Sequence, residues 1–131
     1  MSRSSREKAD KKRAPMPIVF VISPDWTLRT KVRAELREAG IMALGMQATG
    51  DLEEVLRRGV VPSSIVLDGA ELEDPKAQRM LKTLAQDVAV LVLGPAIVSG
   101  SSFPGTEVLH RPVQVQDVVS RVLARLRQRK F

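Results

Sequence analysis

Five short apolar runs alternate with longer stretches of mixed polarity, and this alternation constrains the chain more than any other feature of its sequence. The runs are Ile18–Ile22, Ile41–Met46, Ser64–Leu67, Val88–Leu93 and Glu107–His110. The clearest of them are continuously apolar rather than alternating, so they belong to strands buried on both faces. Runs of that kind separated by helical segments predict a parallel sheet covered by helices on either side. At 131 residues the chain fits one domain. Aromatic residues make up only 3% of it, namely Phe20, Trp26, Phe103 and Phe131, so the core must be aliphatic.

The segments between the runs carry helix signals. Ser23 and Pro24 predict an N-cap and first helical residue for a helix with Leu28, Val32, Leu36 and Ala39 on one face, stopping at Gly40. Asp51 and Glu54 read as a capping box ahead of Leu52, Val55 and Leu56, with an end near Gly59. Asp74 and Pro75 open a third helix that buries Ala77, Met80, Leu81 and Leu84. After the fourth run, residues 97–105 hold two glycines, three serines and a proline, which predicts a loop or a single turn. The last helix is expected from about Gln114 to Arg129, apolar at Val118, Val119, Val122, Leu123 and Leu126, with arginines 121, 125, 127 and 129 mostly outward.

Charge is unevenly spread. The ends, residues 1–17 and 121–131, hold +4 and +5, which leaves residues 18–120 at −3 within the total of +6. Residues 1–17 lack apolar periodicity and read as a disordered basic tail, with a single domain over residues 18–131. The chain has no cysteine, which excludes disulfides, thiolate metal sites and cysteine nucleophiles. With no secretory pattern at the start, the expected location is cytoplasmic. Neither an internal repeat nor a nucleotide-binding glycine fingerprint is present.

In an open parallel sheet, function gathers at the carboxyl ends of the strands. Those ends bring up Ser23, Pro24 and Asp25 after the first strand, Asp68 closing the third, Gly94 after the fourth, and Arg111 with Pro112 after the fifth. A carboxylate ending the apolar run SIVLD must lie at the rim of the sheet, because an unpaired charge in the core is too costly. With its βα units, Asp68 and a cation preceding proline, the chain over residues 18–129 resembles the receiver domain of response regulators. The resemblance implies a flavodoxin-like, doubly wound sheet of five parallel strands in the order 2-1-3-4-5; family members carry a full helix between strands four and five, whereas the glycine- and serine-rich residues 96–106 predict that helix short or missing here.

It also implies a site. Family receivers accept a phosphoryl group on the strand-three aspartate, equivalent to Asp68, with Mg²⁺ held by two acidic residues after strand one. A Ser or Thr ends strand four, and a Lys precedes the proline after strand five. Here Ser23 and Pro24 stand at the acidic pair, leaving Asp25 as the remnant acid. Gly94 replaces the hydroxyl residue and Arg111 the lysine, a cation of different shape. The expectation is a degenerate pseudo-receiver: no enzyme, no required cofactor, and Asp68 in a standing ion pair with Arg111.

Such a module works by protein–protein recognition. The resemblance places its partner face on the fifth strand and last helix, at Val108, His110, Val113, Arg121 and Arg125, for a signalling protein or a second copy of the chain. Two other readings stay open. One is a phosphorylatable receiver with a weak Mg²⁺ site at Asp25 and Asp68. The other is an accessory protein whose basic ends contact nucleic acid or an anionic membrane. The lone His110 makes no zinc or catalytic site, and Ser23 and Asp25 lack a base to form a triad. Trp26 reads as packed at a domain edge or as a partner anchor, and Glu71, Glu73 and Asp74 as a solvated turn that caps a helix.

Overall fold

The computed structural model describes residues 16–94, 106–110 and 113–128. Its five strands are β1 (Ile18–Ile22), β2 (Met42–Met46), β3 (Ser64–Asp68), β4 (Ala89–Leu93) and β5 (Thr106–Leu109). All pair in parallel, in the spatial order β2-β1-β3-β4-β5. The helices are α1 (Trp26–Glu38), α2 (Gly50–Arg57), α3 (Pro75–Leu84) and α4 (Val115–Gln128), with a 3-10 turn over Gly69–Glu73. The expected loop at 97–105, and with it the short or missing helix, lies outside the described residues, as do Arg111, Pro112 and residues 1–15 of the tail.

Side chains on a strand alternate between faces, and here both faces are covered. Val19, Val21, Ala43, Val66, Leu91 and Leu93 pack with Leu28, Val32 and Leu36 of α1 and Val118, Val119 and Val122 of α4. Phe20, Ile22, Met46, Ile65, Leu67, Val90 and Val92 face the other way, onto Leu52 of α2, Leu72 of the 3-10 turn and Leu81 of α3. This two-sided burial is why the runs are unbroken. Gly40 and Gly59, at φ 83° and 87°, end α1 and α2 in the left-handed conformation that glycine adopts without strain.

Helix starts depart from expectation at two places. Asp25, not Ser23, caps α1, its Oδ1 accepting from the Leu28 N–H at 3.2 Å, and Pro24 lies before the helix. Ser23 is drawn instead into the site described below. The Asp51/Glu54 capping box does not form: α2 begins one residue before Asp51, behind Thr49, and Glu54 pairs with Arg57 and Arg58. Asp74 and Pro75 open α3 as read, with the Lys76 N–H on Asp74 Oδ1. Ala39, expected on the buried face of α1, is the exposed C-cap.

The arginines of α4 are not all directed outward. Arg121 and Arg125 both bind Glu107 of β5, at 2.8 and 3.1 Å, clamping the edge strand to the helix. Leu36, fully buried between α1 and the sheet, should be among the costliest positions to truncate. Leu36→Ala is expected to lose about 2–5 kcal/mol in urea unfolding, whereas Glu107→Gln should lose about 1 kcal/mol or less and the loss should shrink with salt.

Candidate functional site

The parallel register sets the carboxyl ends of the strands side by side. Ile22 lies opposite both Met46 and Leu67, and Asp68 opposite Leu93. The residues that follow inherit this alignment: the Ser23 N–H donates to Met46 O, and the Gly94 N–H to Leu109 O. Four of the positions picked out in the sequence, Ser23, Asp25, Asp68 and Gly94, thus lie along one rim.

Asp68 ends a strand in which every residue is buried, and it is itself only 6% exposed. Its carboxylate is held by short-range geometry and by a neighbour from β1. Oδ1 accepts from the Ala70 N–H at 3.1 Å, capping the 3-10 turn. Oδ2 accepts from the Ser23 hydroxyl at 3.2 Å, a contact spanning 45 residues of sequence. Ser23, 1% exposed, in turn accepts the Asp25 N–H on its oxygen. A hydroxyl that donates to one group and accepts from another fixes both the β1–α1 turn and the carboxylate.

Asp25 is exposed, and its carboxylate is turned to its own helix as the N-cap. Pro24 is exposed beside it. Gly94 is buried against Gly69: a Cβ added at Gly94 would lie 3.2 Å from Gly69 Cα and 3.3 Å from its nitrogen. One added at Gly69 would lie 3.0 Å from Leu93 O. The two backbones therefore approach at a distance that only glycines permit without movement. Among the described residues no group of three or more His, Asp or Glu side chains is placed to hold a metal ion.

Glu71 has a part that sequence reasoning missed. Its Oε1 accepts from both the Thr49 N–H, at 2.6 Å, and the Thr49 hydroxyl, at 2.8 Å. The acidic turn after Asp68 is thereby pinned to the residue that opens α2. No local signal marks such a contact, since it joins positions 22 apart. Trp26, at the first position of α1 next to this rim, is 67% exposed, so it is not packed at a domain edge.

The proposed partner-face residues divide. His110 and Arg121 are exposed, while Val108, Val113 and Arg125 are half-buried. Val108 and Val113 pack against the two core clusters, and both arginines are engaged with Glu107. Arg111 lies outside the described residues.

Two substitutions probe this geometry. Gly94→Ser is expected to destabilise by about 1–3 kcal/mol, because the backbone of Gly69 must yield to the new side chain. Glu71→Ala should leave the buried Thr49 hydroxyl without its acceptor and cost about 1–3 kcal/mol. Chemical denaturation of the two variants checks both values.

No protein-family model matches the chain, and no curated protein matches it by sequence. Solved structures do match it in three dimensions. A response regulator receiver protein from Sinorhizobium medicae superposes with a TM-score of 0.72 at 16% identity, over 88% of this chain and 98% of the other. A response regulator from Thermotoga maritima gives 0.68 at 17%, over 86% and 99%. The receiver domain of a Francisella response regulator gives 0.69 at 17%, over 87% and 99%. The chain has the five-stranded, doubly wound fold of these receiver domains.

Proposed function

We propose that this chain is a receiver-type signalling module of the two-component kind that acts by protein–protein contact, without a phosphoryl switch at Asp68. The packing of Gly94 on Gly69 carries the reading, since a side chain there, such as the hydroxyl-bearing one with which receivers meet the phosphoryl group, would crowd the Gly69 backbone at 3.2–3.3 Å. Phosphoryl transfer to a carboxylate depends on fixed donors and cations aimed at the oxygens where charge develops. Here one such donor position is bare backbone.

The donor set also fits Mg²⁺ poorly. Hard cations take carboxylate and carbonyl oxygens, but Ser23 stands where one acid is needed, with its hydroxyl hydrogen directed to Asp68. Pro24 offers no side-chain ligand, and the Asp25 carboxylate serves its helix. In this reading Asp68 is structural: it holds the 3-10 turn through Ala70 and the β1–α1 turn through Ser23.

The partner meets the rim and the β5–α4 side, where Trp26, His110 and Arg121 are exposed. An exposed tryptophan offers a large apolar contact area at low entropic cost. Recognition through the α4 arginines as free phosphate contacts is disfavoured, because Arg121 and Arg125 already hold Glu107.

Intact-mass measurement after incubation with Mg²⁺ and acetyl phosphate tests the proposal. The expected result is no phosphoryl adduct. A stoichiometric adduct that disappears in Asp68→Asn would establish a phosphorylatable receiver instead. Trp26 gives a second readout: its fluorescence should not respond to millimolar-range Mg²⁺, whereas tight binding abolished by Asp25→Asn would contradict the reading.

A further inference from the structure

The exposed edge of β2 carries three arginines that the site does not use. Arg29, Arg33 and Arg37 recur every fourth residue along α1 and therefore share one face of it. That face lies over β2. The Arg33 Nε–H donates to Ala43 O at 3.3 Å, and Arg37 donates to the same oxygen at 3.4 Å. Arg29 donates to Ser23 O. Gly45 makes the approach possible, since a Cβ there would lie 2.7 Å from Arg33 Cδ and 3.1 Å from Arg29 Cδ.

Among the described residues, no carboxylate pairs with any of the three. Burial first, and then the neighbouring charges of Arg37 and Arg29, lower the Arg33 pKa below its ordinary value. Three like charges are thus held together, satisfied only by backbone carbonyls, where a bound carboxylate would be a better partner.

Among the described residues, no strand pairs with β2 on its outer side. β2 is the sheet's edge, and the Met42 N–H donates inward to Pro17 O while Met46 O accepts from Ser23. The alternation of a parallel ladder then turns the backbone groups of Ala43 and Gly45 outward, and the arginine bonds to Ala43 O agree with that. An outward row of backbone groups is a template for a further strand.

We infer that the β2 edge and the Arg29, Arg33 and Arg37 row together form a binding site for an extended acidic peptide of a partner protein, with acidic residues at alternate positions. The spacings agree. Successive arginines rise about 6 Å along the helix, and alternate side chains of an extended strand are about 6.6 Å apart. Charge selects a narrow ribbon over a broad polyanion. The body of the chain is net negative, and α1 exposes Glu35 and Glu38 while α2, on the other face of the sheet, exposes Asp51, Glu53 and Glu54, which would repel a broad nucleic acid or membrane surface.

Fluorescence anisotropy of the full chain with a labelled peptide of alternating glutamate and threonine tests this. Saturable, salt-sensitive binding is expected. It should weaken about tenfold or more in the triple variant Arg29→Gln, Arg33→Gln, Arg37→Gln, and be unchanged in Arg57→Gln on α2. N-methylation of the peptide's backbone amides that face β2 should weaken binding comparably, and that change leaves the protein's folding untouched. The inference is overturned if the peptide does not bind, or if N-methylation has no effect. It is also overturned if oligothymidylate or phosphatidylserine vesicles bind more tightly through the same arginines. None of these readouts involves Asp68, so the phosphorylation reading stands or falls separately.

Discussion

The hydrogen bond from the Ser23 hydroxyl to Asp68 Oδ2 ties the two parts on which the functional rim depends. β3 is central and buried on both faces, so its terminal carboxylate emerges at one place only. β1 is the neighbouring strand, and its register sets Ser23 beside that carboxylate. The bond therefore ties the aspartate to the β1–α1 turn. Its other oxygen starts the 3-10 turn, which carries Glu71 to Thr49 and so positions the start of α2. A single carboxylate and the turn after it organise the loops following β1, β2 and β3.

Under the proposed reading, that arrangement stands in place of a receiver's acidic pair. In a receiver, acids beside the aspartate create a like-charge problem that a divalent ion solves. At the corresponding place here the neutral Ser23 hydroxyl donates directly to the carboxylate. On the other side, the Gly69–Gly94 approach brings the backbones that follow β3 and β4 close together. The two departures sit on opposite neighbours of β3, and each makes the rim more self-sufficient.

The sheet was legible because its strands are buried on both faces, which writes itself into the sequence as unbroken apolar runs. Asp68 was legible for the same reason, as the first charge after such a run. Helix starts were less so. Ser23 satisfies every local rule for an N-cap, yet a partner 45 residues away claims its hydroxyl, and Asp25 takes the cap. Asp51 and Glu54 have capping-box spacing, but Thr49, fixed by Glu71, sets where α2 begins. The arginines of α4 look outward on a helical wheel, while Glu107 of β5 draws two of them back. In each case local propensity is overruled by a polar contact across the fold, and single-sequence patterns carry no record of such contacts.

The arginines of α1 show how one feature serves stability and recognition without conflict. An edge strand left bare invites uncontrolled pairing, and charged side chains laid along it are a common defence. Arg33 and Arg37 answer that need by bonding Ala43 O from the helix side, and Gly45 leaves space for the arginine stems. The same defence is selective. An apolar or basic segment meets three cations that it cannot satisfy, whereas an acidic segment replaces long contacts to a neutral carbonyl with charged ones. A charged edge of this kind excludes most strands by the same interaction that admits one class of them.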